Sequence, residues 1–211
     1  MARTFEINRQ HPQPRLIRQA AEILARGGII AHPTDTTYAL GVAMSNHKGI
    51  EELYRLKKKD LKRPLSFLCT DLANLSEYAL ISDLAFQTMR RILPGPYTII
   101  LPSRKSAPRN LLWTNRKEIG LRMPDDPVVR ALVEQLGEPM ISTSAKLPDC
   151  ELLENAQDIL RDFGRDIELI LDAGFIYPEP STILSFLDEE PKLVRMGKGP
   201  VEGIVDVEPT D

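Results

Sequence analysis

The sequence predicts a single domain of α/β class (α+β mixed), one mixed parallel and antiparallel sheet flanked by helices. Three observations carry this. Short apolar runs of strand length interleave with segments of helical period. No stretch rich in Pro, Gly or Ser divides the 211 residues into two bodies. A chain of this length buries about 70–75% of its unfolded surface, so its core needs no disulfide staples.

The elements follow in order. Leu16, Ile17, Ala20, Ile23 and Leu24 recur at helical spacing, which predicts a helix over 13–26, ended by Gly27 and Gly28. Ile29 to His32 reads as a short strand stopped by Pro33. Ile50, Leu53, Tyr54 and Leu56 share one side of a helix over 48–59. Ser66 to Cys69 reads as a strand. Asp71 and Ser82 are N-cap residues for helices over 72–78 and 83–92. Pro94, Gly95 and Pro96 stop the second of these, and a strand runs from Tyr97 to Leu101. Ile119–Met123 is another strand. Asp125, Asp126 and Pro127 open a helix through Leu136, with acids and proline where a first turn favours them. Strands over 139–143, 168–172, 182–187 and 193–196 close the chain, with a helix at about 155–163 between the first two. That makes eight strands and five or six helices.

Composition excludes several classes. The chain is 42% hydrophobic and 27% charged, which fits an ordinary globular domain. Cys69 and Cys150 are its only cysteines, too few for a disulfide framework and in keeping with a reducing compartment. No apolar run reaches the roughly 18 residues of a membrane span. The first residues lack a signal-peptide core, so a cytoplasmic location is expected. His11, His32 and His47 are too scattered for zinc-ligand spacing, and no metal site is expected. The net charge of −3 conceals a division. Residues 1–146 hold 22 Lys and Arg against 14 Asp and Glu, a balance of +8. Residues 147–211 hold 5 against 16, a balance of −11. Such a division suits an anionic ligand or a nucleic acid.

Four segments can carry chemistry, each beside a plainer reading. Thr34, Asp35, Thr36, Thr37 and Tyr38 gather hydroxyls and a carboxylate where a strand ends, a place for a ligand or simply a polar turn. Residues 55–63 hold Arg55, Lys57, Lys58, Lys59, Lys62 and Arg63, six basic residues in nine. They form a phosphate site or a solvated helix end suited to the helix dipole. Ser142, Thr143 and Ser144, followed by Lys146, again end a strand, where small residues let backbone N–H groups approach a phosphate. Arg122 and Arg195 each end an apolar strand and offer a planar fork to a carboxylate or phosphate, or to a neighbouring acid. No GxSxG, Walker A loop or GxGxxG occurs, so neither a hydrolase triad nor a familiar nucleotide loop is expected.

Taken in order, these segments resemble the YrdC/YciO family, which includes the bacterial threonylcarbamoyl-adenylate synthases. The resemblance runs from about residue 13 to 199. It rests on the stretch from Gly27 to Gly41, on Tyr54, Lys57, Lys59, Pro64 and Leu65, and on Pro94 to Thr98. It rests also on Gly120 to Pro124, on Gly137 and Pro139 before Ser142 to Ala145, on Pro180 to Ile183, and on Arg195 with Gly197. It implies a twisted mixed sheet with a concave, basic face over residues 13–199, and an acidic tail over 200–211.

The chemistry implied by the resemblance joins L-threonine, bicarbonate and ATP into threonylcarbamoyl-adenylate and pyrophosphate, with Mg²⁺ expected. Partner proteins then pass the carbamoyl group to tRNA. On that likeness Lys57, Lys59, Ser144 and Arg195 contact ATP. Thr34, Arg122, Ser142, Ser181 and Thr182 hold threonine. No side chain is expected as acid or base, since the obstacle is repulsion between two anions, which positioned cations relieve. Lys59, Asp60, Arg63, Lys146 and Ser185 depart from the synthase pattern and resemble the YciO branch. The alternative implied there is a paralogue that binds double-stranded RNA or tRNA without the synthase step, with Lys58, Lys62, Arg63 and Lys146 as RNA contacts.

Overall fold

A computed structural model describes residues 1–57, 65–105, 107, 117–147 and 150–205. The elements in chain order are β1 (Arg3–Glu6), α1 (Pro14–Ala25), β2 (Ile30–His32), β3 (Ala39–Ala43), α2 (His47–Leu56), β4 (Ser66–Leu68), α3 (Leu72–Tyr78) and α4 (Asp83–Ile92). Then follow β5 (Tyr97–Pro102), β6 (Glu118–Arg122), α5 (Pro127–Leu136), β7 (Met140–Ser144), α6 (Ala156–Phe163), β8 (Leu169–Asp172), β9 (Thr182–Ser185) and β10 (Lys192–Arg195). Every expected strand and helix has its counterpart, residues 58 and 59 of the helix expected over 48–59 lying outside the described residues. β1 and β3 are additions, which raises the strands among the described residues from eight to ten.

Local chemistry sets the helix ends. The side chains of Asn46, Ser82, Asp126 and Asn155 accept first-turn N–H groups of α2, α4, α5 and α6, the groups that a helix leaves unpaired. Asp126 takes two, from Val128 and Val129. α1 starts on Pro14, whose missing N–H is no loss in a first turn. α5 ends on Gly137 with φ +75, a left-handed conformation that glycine adopts without strain.

All ten strands join one sheet in the order β1-β8-β2-β3-β7-β4-β6-β5-β9-β10. Pairs β1–β8, β8–β2, β4–β6 and β5–β9 are parallel, and the others antiparallel. The sheet thus begins with β1, ahead of residue 13, while Val201, after residue 199, is buried in the core.

Alternation along the strands separates two faces. Leu40, Phe67, Ile99, Leu121, Ile141 and Leu184 point to one face, packed with Ile50, Leu53, Leu75, Met89, Ile159 and Phe163 from α2, α3, α4 and α6. The opposite face is covered only in part. Over β8, β2 and β3, helices α1 and α5 lay Ile17, Ile23, Leu24, Val128, Leu132 and Val133 onto Ile30, Leu169 and Leu171. Met140 of β7 and Leu68 of β4 join that cluster, and beyond them the face over β7, β4, β6, β5 and β9 lines a cleft. The site lies there.

Candidate functional site

The uncovered sheet face forms a cleft of about 610 Å³. Its floor is a row of paired residues, three of them with short side chains: Ser142 opposite Ser66, Ser66 opposite Gly120, and Gly120 opposite the larger Ile100. A Cβ at Gly120 would meet nothing closer than a Thr98 methyl carbon at 3.7 Å, so a methyl group there would make only ordinary contacts. Ala39, opposite Ser144, extends the floor at one end. Leu65, Leu68, Ile100, Ile183 and Val194 give the lining its larger apolar side chains. Thr98, Arg122, Ser181 and Arg195 set polar groups among them, and Glu118 is the one carboxylate residue in the lining among the described residues.

Arg122 ends β6 almost entirely buried. Its Nη2 donates to Asp35 Oδ1 at 2.9 Å and to Thr36 Oγ1 at 3.0 Å. The other Asp35 oxygen accepts from the Asp125 amide at 3.1 Å. Burial lowers the Arg122 pKa and raises that of Asp35, and each partner opposes the other's shift. A guanidinium stays protonated regardless, and its charge opposes the rise that burial imposes on Asp35. The Arg122 Nε is buried and has no hydrogen-bond partner. An orphaned donor of this kind marks a place where a further acceptor belongs.

Arg195 crosses from β10. Its Nε and Nη2 donate to the Ser181 carbonyl at 3.2 and 2.6 Å, and Nη2 also reaches Ser181 Oγ at 3.2 Å. That hydroxyl lies 2.8 Å from Thr98 Oγ1. Burial lowers the Arg195 pKa, and its charge in turn lowers that of Arg122. Two cations thus face one cleft.

Arg122, Ser142, Ser144, Ser181 and Arg195, expected from the sequence, all line the cleft. Thr34, Thr182 and Lys57 are not part of its lining and hold backbone. The Thr34 hydroxyl donates to the Thr37 carbonyl at 2.6 Å and accepts from the Thr36 and Thr37 amides, a compact hydroxyl turn. The Thr182 hydroxyl donates to Gly199 O and accepts from the Gly197 amide. Lys57 Nζ donates to the Ser144 and Lys146 carbonyls at 2.7 and 2.6 Å, tying the end of α2 to the strand end at 144–146. Lys146 is half-buried beside the cleft's Ser144. Lys58, Lys59, Lys62 and Arg63 lie outside the described residues, as do residues 206–211 of the 200–211 segment.

Ser66, Thr98 and Glu118 line the cleft without having been singled out as site residues. Only strand register brings them there. His32, on the same sheet face as Ile30 and the floor, is fully buried beside it. Its Nδ1 is 3.0 Å from the Pro33 carbonyl and its Nε2 3.4 Å from Ser142 Oγ. Burial lowers its pKa to about 4, so the ring is neutral.

A family model of the Sua5, YciO and YrdC proteins, described as "Telomere recombination", matches residues 22–197. The chain belongs to the Sua5/YciO/YrdC family. Within it, the chain is 39% identical to the uncharacterised protein YciO of Escherichia coli K12, over 96% of this chain and 98% of that one. The crystal structure of E. coli YciO matches with a TM-score of 0.93, covering 97% and 100% of the two chains. A putative threonylcarbamoyl-AMP synthase of Methanocaldococcus jannaschii is 30% identical over 94% and 93% of the chains. P. abyssi Sua5, crystallised with L-threonine, matches at 25% identity with a TM-score of 0.90. This chain is covered over 99% and that one over 63%.

The Sua5/YciO/YrdC motifs occupy distinct parts of the fold. Pro180 and Ser181 precede β9 at the cleft, while Ser142 and Ser144 end β7 on its floor. The 34–37 turn lies behind Arg122, fixed through Arg9. That side chain donates to Asp126 at 2.8 Å and to the Thr34 carbonyl at 2.6 Å. No cluster of metal-ligating side chains occurs among the described residues. With Asp35 engaged by Arg122 and one carboxylate in the lining, these residues do not fit a Mg²⁺ site of their own.

Proposed function

We propose that the cleft binds ATP and L-threonine and that the protein makes threonylcarbamoyl-adenylate for tRNA modification in the cytoplasm. The observation that carries this reading is the pair Arg122 and Arg195 over a floor of small residues, with the buried Nε of Arg122 lacking an acceptor. The similarity to a Sua5 crystallised with L-threonine supports it.

In this reaction threonine and bicarbonate give a carbamate with loss of water. A carbamate oxygen then attacks the α-phosphorus of ATP, and pyrophosphate leaves. Both reactants are anions, so repulsion and loss of freedom dominate the barrier. Arg122 takes the threonine carboxylate through its unpaired edge, and Arg195 faces the phosphates. Ser142, Ser144 and Ser181 orient the bound groups by hydrogen bonding. The apolar side chains of Ile100, Ile183 and Val194 take the adenine. Mg²⁺ enters with ATP as part of the substrate. Lys57 acts through the 144–146 backbone that it holds. ATP–pyrophosphate exchange that requires both threonine and bicarbonate tests the reading, and its absence in folded protein supplied with Mg²⁺ rejects it.

A second reading has its own observation. The Lys57 ammonium is engaged by two carbonyls, and the likeness to YciO, at 39%, exceeds that to the putative synthase, at 30%. Here the basic residues, Lys146 among them, bind double-stranded RNA or tRNA without synthesis. Such binding weakens steeply with salt as counterions are released. Undetectable RNA affinity at low salt removes this reading.

A further inference from the structure

We propose that His32 is a positioning residue of the cleft: it draws the Ser142 hydroxyl proton to itself and leaves Ser142 facing the cleft as a hydrogen-bond acceptor. The group read at Ser142 is then an N–H or O–H donor of the ligand. On the synthase reading, on which this identification rests, it is the N–H of threonine or of its carbamate.

The argument starts from the ring. A neutral imidazole carries one proton on two nitrogens. Nδ1 is 3.0 Å from the Pro33 carbonyl, which can only accept, so Nδ1 holds the proton. Nε2 is therefore a bare lone pair, and the atom it faces is Ser142 Oγ at 3.4 Å. A hydroxyl beside such a lone pair donates to it. Ser142 spends its single proton this way and turns lone pairs toward the cleft that it lines.

Gly41, the cross-strand partner of Ser142, makes room for the ring. A Cβ there would come within 3.0 Å of His32 Nε2 and 2.6 Å of the Met140 terminal methyl. The ring is fully buried. With its pKa lowered to about 4, it is too weak a base to deprotonate a serine at neutral pH. Its action is orientation, and Ser142 is not thereby made a nucleophile.

Two measurements on the full chain test this. Nitrogen-15 NMR of the histidine rings, with His32 assigned by its loss in His32→Gln, reads the tautomer directly. The expected result is a protonated Nδ1 and a bare Nε2 at pH 7, with the Nε2 resonance alone moving in Ser142→Ala. An Nε2–H tautomer, or an Nε2 indifferent to Ser142→Ala, overturns the proposal. Calorimetric titration of L-threonine, with ATP present, reads the consequence. His32→Phe and Ser142→Ala should each weaken threonine binding about tenfold, with no further loss when combined, as for one shared hydrogen bond. His32→Gln places an amide oxygen near the Nε2 position and should restore most of the affinity. Additive losses, or a Gln variant as weak as Phe, also overturn the proposal. If the unmodified chain binds no threonine, the synthase reading fails, and the ring spectrum still decides the role of His32. The Ser142→Ala spectrum also stands if His32→Phe does not fold.

Discussion

Two halves of one sheet face use the same backbone and reach opposite ends. Over β8 and β2, Leu169 and Ile30 meet Leu24 and Leu132, and apolar burial fills the space. Over β7, β4 and β6, positions in the same paired row are Ser142, Ser66 and Gly120, and the space stays open. The covered half stores stability, and the bare half gives it up for a cleft lined by two arginines and small polar residues. Small and polar residues in the middle of a buried sheet are therefore a mark of function, not of poor packing.

Substitutions can break or sharpen this contrast. The largest effect falls where the halves share an ion pair. Arg122→Ala leaves Asp35 buried without its counter-charge and should lower stability by about 4 kcal/mol, read in a urea melt. Asp35→Asn in that background should recover part of the loss. In the covered half, Leu132→Ala should cost about 3 kcal/mol through a cavity, and leave threonine affinity in the surviving folded protein unchanged.

Acid should strain the boundary between the halves. His32 titrates near 4 in the fold against 6.5 as an ordinary histidine. The unfolded chain then holds more protons between those values. The contribution is complete above pH 6.5 and is lost as pH falls toward 4, by up to about 3 kcal/mol. His32→Gln should flatten that limb of the stability profile, and an unaltered limb would assign the acid sensitivity to other groups. The smallest stability effect belongs to the bare half. At Gly120 an added Cβ meets only ordinary contacts, so Gly120→Val should shift stability by less than about 1 kcal/mol. By filling the cleft, it should weaken ATP and threonine binding at least tenfold. Equal damage to stability would show that the floor is packed after all.

How legible these halves are in the sequence differs. The helices announce themselves through period and caps, and Ser82 caps α4 as its position suggests. β3 was missed because Ala39–Ala43 is short, glycine-centred and buried throughout, with no alternation to read. β1 was missed because it is an edge strand whose residues are mostly exposed, held by pairing with β8. For the site, Arg122, Ser142, Ser144, Ser181 and Arg195 stand at strand ends flanked by recognisable turns. Ser66, Thr98 and Glu118 carry no such punctuation, and their place depends on which strands pair. His32 looked like one scattered histidine of three. A lone imidazole inside an apolar strand, directly before a proline, was the available signal.

The order of the floor strands has a kinetic consequence. Neighbours β7, β4, β6, β5 and β9 start at residues 140, 66, 118, 97 and 182, so nearly every seam of the floor joins distant parts of the chain. Such seams close late, after the loops between them have been drawn in. The helices can form early and locally, but the cleft exists only once the last strands have zipped. During refolding, the recovery of ligand binding should therefore trail the recovery of helical signal, with the site serving as the clock that marks the end of folding.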